Sequence, residues 1–288
     1  MKIKKIKKNS PDPRIISMNI SLAAETIFHI GSFPVTNTLL VAWVIILFLI
    51  IMALVVGRKI REVPKGLQNF VETVVEGALN FMETITGDRK QARQFFPIVF
   101  TIFLFVILSN WVEVIPGLGS IGIWEEHHGE MILVPFIRSA SADLNVTLAI
   151  AIVSVISTQI FGIVALGIWK YGKKFLPFGG LFKIKYGFVP VPSFGGFINF
   201  FAGILELVAE CAKFVSFSFR LFGNIFAGEV LLTVVSFLVP YIVPLPFLFL
   251  EFFVGFVQAL VFAMLTLVFL KMAVTEHEHE EHEAHKAH

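Results

Sequence analysis

From Leu39 to Val56 the chain runs through 18 consecutive apolar residues without a charge or an amide. Rolled into a helix at 1.5 Å per residue, with its flanks, such a run spans the ~30 Å hydrocarbon core of a bilayer. A backbone in lipid must satisfy its own hydrogen bonds, so the run predicts a membrane helix. Four further apolar segments repeat the pattern, at 97–114, 144–169, 198–240 and 245–272. With 56% apolar residues and 33 phenylalanines in 288, the composition is that of a polytopic membrane protein. The expected fold class is therefore an all-α membrane protein with five transmembrane helices.

A sixth helix differs in kind. Leu67, Phe70, Val71, Val74, Val75, Ala78, Met82 and Ile85 recur every three or four residues, while Glu72, Glu76 and Glu83 take the opposite side. That amphipathic pattern predicts a helix on the membrane surface or against other helices, begun after Pro64 and stopped by Gly87. Its acidic polar face argues against an anionic-lipid anchor and for packing on protein. The chain then divides into an N-terminal tail, 1–36, a helical membrane domain, 37–273, and a His/Glu-rich C-terminal tail, 274–288.

Orientation follows from positive charge, which concentrates in cytoplasmic loops. Segments 58–93 and 169–185 hold seven and five Lys or Arg, whereas 115–142 holds only Arg138 and 239–244 none. With five spans this places the N-terminus outside and the C-terminus in the cytoplasm. The tail Lys2, Lys4, Lys5, Lys7, Lys8 and Arg14 runs against that arrangement, but the polar break after it predicts no cleaved signal.

Several function classes drop out. Nucleic-acid binding lacks a basic patch with interleaved aromatics. The lone Cys211 excludes an internal disulfide framework. No G-x-x-x-x-G-K-[ST] loop is present to hold a nucleotide. The tail TEHEHEEHEAHKAH misses H-E-x-x-H, because Glu281 stands where the second histidine would follow His277, and it reads as a flexible polar tail rather than a metal site. Glu125, Glu126, His127 and His128 receive the same reading, and no cofactor or metal is expected. Trp111, Trp169 and Tyr171 are expected to mark membrane interfaces.

The chemistry concentrates in the last two spans. Glu206, Glu210, Lys213, Ser216 or Phe217, Arg220 and Asn224 follow one another at intervals of three or four, so they share one helical face about 27 Å long. Lipid satisfies none of these groups, so the face must look at protein or water. A guanidinium cannot shed its charge, and burying one in an apolar span costs several kcal/mol unless a partner is present. Arg220 has no carboxylate one turn away, which predicts a partner on another helix or another chain. Glu206, Glu210 and Lys213 serve equally as a structural ion-pair ladder. In the last span Glu251, Gly255 and Gln258 share a face. Folding the two spans about the uncharged VPYIVPLP turn sets Glu251 level with Glu229 and turns Gln258 toward Asn224 and Arg220. Two carboxylates, amides and then a guanidinium form the layout of a proton relay.

The strings RLFGNIFAGE at 220–229, VQALVFAMLTLVFL at 257–270, SADLNVTLAI at 141–150 and PKGLQNFVE at 64–72 resemble subunit a of the F-type rotary ATP synthases. The resemblance covers nearly the whole chain, apart from the two tails. It implies a long tilted hairpin of the last two helices against a ring of c subunits, with the b-subunit peripheral stalk and the rest of the complex as partners; the lack of a clear transit peptide favours a bacterial plasma membrane. It further implies a stator with two half-channels rather than an enzyme by itself. Arg220 matches the arginine that separates the half-channels and displaces the proton from a passing ring carboxylate. Asn224, Glu229, Glu251 and Gln258 match the outer, proton-inlet side, with Glu251 standing where some members carry histidine. Glu206, Lys213 and Ser216 fall on the cytoplasmic side. Asn145 and Thr147 match polar positions of the inlet path, and Asp143 fits a helix N-cap or a channel group. The alternative from another class is a stand-alone ion-coupled secondary transporter, which predicts two related halves or interrupted helices absent from this sequence. An intramembrane hydrolase lacks its metal or nucleophile.

Overall fold

In the computed structural model, residues 24–58, 65–118, 121–127, 130–168, 171, 182–184, 190–192 and 194–286 are described. The basic tail through residue 23, the start signal at Pro64, His128, Trp169 and most of the basic loop at 169–185 lie outside them. Five helices are long and apolar enough to cross a membrane: Asn37–Gly57, Arg89–Val114, Leu144–Leu166, Phe200–Leu238 and Pro244–Val274. The chain is thus an all-α membrane protein with an additional amphipathic helix.

A short antiparallel hairpin, β1 (Thr26–Ile30) and β2 (Phe33–Thr36), leads into α1 (Asn37–Gly57). Thr36 caps α1 through its hydroxyl, which accepts from the Leu39 amide, so the apolar run begins as a helix at once. Trp43, Leu47, Phe48 and Ile51 face outward, as a lipid-facing helix requires. The amphipathic helix α2 (Leu67–Thr86) ends at Gly87, whose φ of 76° lies in the left-handed region that glycine adopts without strain. Asp88 follows and caps α3 (Arg89–Val114) by accepting from the Lys90 and Gln91 amides. This cap moves the start of the second span eight residues ahead of Pro97, which lies inside the helix. Met82 of α2 is buried with Phe95 and Val99 of α3.

Two further hairpins lie outside the membrane helices: β3 (Gly122–His127) with β4 (Glu130–Pro135), and β5 (Phe182–Ile184) with β6 (Pro190–Pro192). A 3-10 turn at Ala140–Ala142 precedes α4 (Leu144–Leu166), which Asp143 caps. Helix α4 stops at Gly167, where φ is 78°, short of Trp169. The chain closes with α5 (Phe194–Leu238) and α6 (Pro244–Lys286). The His/Glu-rich tail, expected to be flexible, continues the backbone of α6 as helix, which its glutamates favour.

Helix α6 is central: it packs on α2, α3, α4 and α5. Ile102, Val106, Ala151, Phe217, Leu221 and Phe262 join α3, α4, α5 and α6 in one buried cluster. Lys271 of α6 donates to the Ile85 carbonyl at 2.9 Å, placing a cation on the C-terminal end of α2. The Phe200–Leu238 part of α5 measures about 58 Å, nearly twice the ~30 Å apolar thickness, so it crosses obliquely or projects beyond the bilayer.

Candidate functional site

The 3.6-residue period divides α5 into two faces. Phe217, Ser218, Leu221, Ile225 and Gly228 turn inward and are buried. Ser218 meets the Thr147 hydroxyl of α4 at 3.2 Å. The opposite face carries Ser216, Arg220, Gly223, Asn224 and Ala227, all exposed. Among the described residues Arg220 has no hydrogen-bond or ion-pair partner. Its neighbours on that face are small, which lets another helix approach the backbone closely.

One side chain of the outward face reaches into the hairpin. Asn224 Nδ2 donates to Gln258 Oε1 at 2.7 Å, and Gln258 is buried on α6. One turn earlier, Gly255 lets α3 come close: Asn110 Nδ2 donates to the Gly255 carbonyl at 3.1 Å, and a Cβ at 255 would stand 3.1 Å from Asn110 Cβ. Trp111 of α3 stacks on Phe252 at 4.4 Å between ring centroids and donates its indole N–H to the Phe252 carbonyl, locking the same contact.

Nearer the hairpin tip three carboxylates converge. Glu251 is buried beside Gly228, where an added Cβ would fall 2.1 Å from Oε2. Glu229 is paired with Arg138, whose Nη2 and Nε donate to the same oxygen, Oε2, at 2.8 and 3.2 Å. The third is Glu113 at the end of α3, with both oxygens buried and the Ser139 side chain beside it. Its charged surroundings are Glu229, Glu251 and Arg138. Serines hold the segment carrying Arg138 in place: Ser139 Oγ donates to the Ser109 carbonyl at 3.0 Å, and Ser141 Oγ to Ser109 Oγ at 3.2 Å.

The far end of α5 carries a second polar group. Lys213 and Glu210 form an ion pair, and Lys213 Nζ lies 4.3 Å from the centre of the Phe269 ring. Glu210 Oε2 accepts from Gln159 Nε2 of α4 at 2.8 Å, and the Tyr171 hydroxyl donates to Gln159 Oε1. Tyr171 is buried over Gly162, where its ring braces the end of α4. Glu206 stands one turn before Glu210 and is half-buried.

Asn145 stays apart from these residues. It lines an apolar groove of about 760 Å³ between α1, α3 and α4, with Trp43, Phe105 and Ile150. Asp143 caps α4 by accepting from the Asn145 amide at 2.8 Å, and its other oxygen accepts from Thr38 of α1 at 2.9 Å. No group of three metal-ligating side chains occurs among the described residues. Glu113, Arg138, Gln159 and Tyr171 are the site residues that sequence reasoning did not select. A signal existed for Glu113, an acid at the end of an apolar span. Arg138 carried one too, as the lone base in a loop otherwise free of them.

The model of the family described as ATP synthase A chain matches residues 39–271. Curated relatives named ATP synthase subunit a include one from Moorella thermoacetica, 30% identical over 87% of this chain and 96% of its own length. Another, from Syntrophobacter fumaroxidans, is 32% identical over 86% and 88%. A third, from Campylobacter jejuni, is 33% identical over 87% and 90%.

Proposed function

This chain belongs to the ATP synthase A chain family, and from that premise we propose that it is the proton-conducting stator of the synthase membrane sector. In this reading the outward face of α5 rides against a ring of c subunits in a bacterial plasma membrane, and the b-subunit peripheral stalk holds the chain still. The N-terminus lies outside and the C-terminus in the cytoplasm. Protons enter from the outer side through the carboxylates at the hairpin tip, pass Gln258 and Asn224, and reach the ring beside Arg220. They leave past Ser216, Lys213 and Glu206. Arg220 then performs two tasks. A fixed cation beside a ring carboxylate favours its ionised form, which discharges the proton on one side. The same charge repels a proton attempting to cross directly between the half-channels. Each proton delivers about 2.3 kcal/mol per 100 mV of membrane potential.

The observation that carries this reading is the unpartnered Arg220 on an exposed face of small residues, with the Asn224–Gln258 pair leading inward from it. A self-contained transporter would be expected to balance such a charge within its own chain. The test uses the whole complex in inverted membrane vesicles. Arg220→Ala should abolish ATP-driven proton pumping while leaving the complex assembled. Unimpaired pumping by that variant refutes the proposal.

A further inference from the structure

We propose that Gln159 and Tyr171 are positioning residues: they hold Glu210 as a tether that draws Lys213 off the ring-facing surface and leaves Arg220 as the working cation there. The inference rests on the stator role above and concerns the far end of α5. Spacing alone offers Glu210 and Lys213 only as an ion pair within one helix, whereas the packing of α4 gives that pair an anchor and a direction.

Lys213 and Arg220 are seven residues apart, so at 3.6 residues per turn they leave the helix within about 20° of each other, about 10 Å apart along its axis. Ser216 and Arg220 are exposed on that face, and an untethered Lys213 would stand out with them. Instead its side chain is only 22% exposed. Glu210 leaves the helix about 80° away from Arg220, on the side turned to the bundle, and is 15% exposed. Its two oxygens hold different partners. Oε1 accepts from the Lys213 ammonium, and Oε2 accepts from Gln159 Nε2 of α4 at 2.8 Å. Lys213 Nζ thereby comes to rest 4.3 Å from the centre of the Phe269 ring of α6, a ring that packs on the buried Phe217 at 5.6 Å between centroids.

The anchor is directional. A glutamine amide presents donors at one end and an acceptor at the other, so facing a carboxylate it must offer Nε2. That choice leaves Oε1 in need of a donor among apolar helices. The Tyr171 hydroxyl supplies it. Two glycines bring Tyr171 within reach. Gly167 turns the chain at the end of α4 with a φ of 78°, and its carbonyl accepts from the Tyr171 amide at 3.0 Å. Gly162 has no Cβ to meet the ring, which would otherwise stand 2.6 Å away at Cε2. Each link thus orders the next, from Tyr171 through Gln159 and Glu210 to Lys213.

The consequence for turnover follows from charge. A ring carboxylate ionised beside Arg220 must be protonated again before it moves on into lipid. A free ammonium two turns away would favour the ionised form over a longer path and delay that step. Paired with Glu210 and covered by an aromatic face, Lys213 has little attraction left to offer.

The experiment measures ATP-driven proton pumping per assembled complex, with the intact complex in inverted vesicles. Glu210→Gln, Gln159→Leu and Tyr171→Phe should each slow pumping by about three- to tenfold, the scale of one hydrogen bond. Each is then combined with Lys213→Gln, whose own rate sets the reference. Because the three residues act through Lys213, adding any of them to that background should change the rate by less than about twofold. Equal losses with and without Lys213 would mean that they only support the fold, and would overturn the proposal. Parent-like pumping in all three single variants overturns it as well. Should Glu210→Gln or Gln159→Leu fail to assemble, Tyr171→Phe carries the test, since it removes one oxygen and keeps the ring over Gly162. A second readout is independent of turnover: acylation of Lys213 by a water-soluble amine reagent, followed by peptide mass spectrometry of the complex. Labelling should rise severalfold in Glu210→Gln and Tyr171→Phe, and unchanged labelling overturns the proposal. Pumping by Arg220→Ala would refute the stator reading instead, so the two failures are distinguishable.

Discussion

Gly228→Ala tests how tightly the outer cluster is held. The new Cβ would stand 2.1 Å from Glu251 Oε2, 2.2 Å from its carboxyl carbon and 2.3 Å from Oε1, where ordinary contact begins near 3.4 Å. The helices cannot part easily, because Ile225 and Leu221 on the same face of α5 are fully packed. The carboxylate must therefore retreat by about 1.3 Å. Proton transfer between oxygens requires separations of about 2.6–3.2 Å, and a misplacement of about 1 Å costs on the order of a hundredfold in rate. Passive proton conductance through the intact complex in vesicles should fall by that order, while the amount of assembled complex stays close to the parent. Because the added methyl changes no charge, the loss should persist across pH and not be relieved by acid or alkali. Parent-like conductance in an assembled Gly228→Ala complex would show that the position of Glu251 does not limit proton flow, and the geometric reasoning would fail.

Two further outcomes check other faces. Gly223 has open space within its own chain, so Gly223→Leu should leave the subunit folded but prevent copurification with a ring of c subunits; retained copurification and coupled pumping would refute the proposed interface. At Gly162 a Cβ would stand 2.6 Å from Tyr171 Cε2, so Gly162→Ala should destabilise the solubilised protein by about 1–3 kcal/mol in thermal melts. Adding Tyr171→Ala should recover part of that loss, whereas unchanged melting of Gly162→Ala would show that the ring is free to move.

Periodicity and caps made much of this architecture legible in advance. The apolar run from Leu39 needed only Thr36 to become α1, and the Gly87 stop of α2 is where the chain turns. Pro97 misled, because proline reads as a helix start, whereas Asp88 had already satisfied the free amides upstream. The hairpin β3–β4 gave no clear alternation of polar and apolar residues, so pattern alone did not reveal it. The outer cluster shows the deeper limit. Glu229 and Glu251 stand out as charges inside apolar spans, and turning the hairpin brings them to one level. Glu113 sits at the rim of its helix and Arg138 in a loop, where charges are ordinary. The packing of α3 against α6, set by Asn110 on Gly255 and Trp111 on Phe252, places Glu113, and Ser139 and Ser141 held on Ser109 bring in Arg138. Contacts across 91 residues of chain, such as Arg138 to Glu229, leave no periodic trace.

The outward Arg220 also bears on the life of the protein before it works. In the proposed arrangement, a copy inserted without its neighbours would offer its guanidinium to lipid, at a cost of several kcal/mol that no described part of the chain relieves. Such a copy is least at ease alone and gains most on meeting a carboxylate-bearing neighbour. Under the role proposed for Arg220, the same charge would also favour assembly with that neighbour.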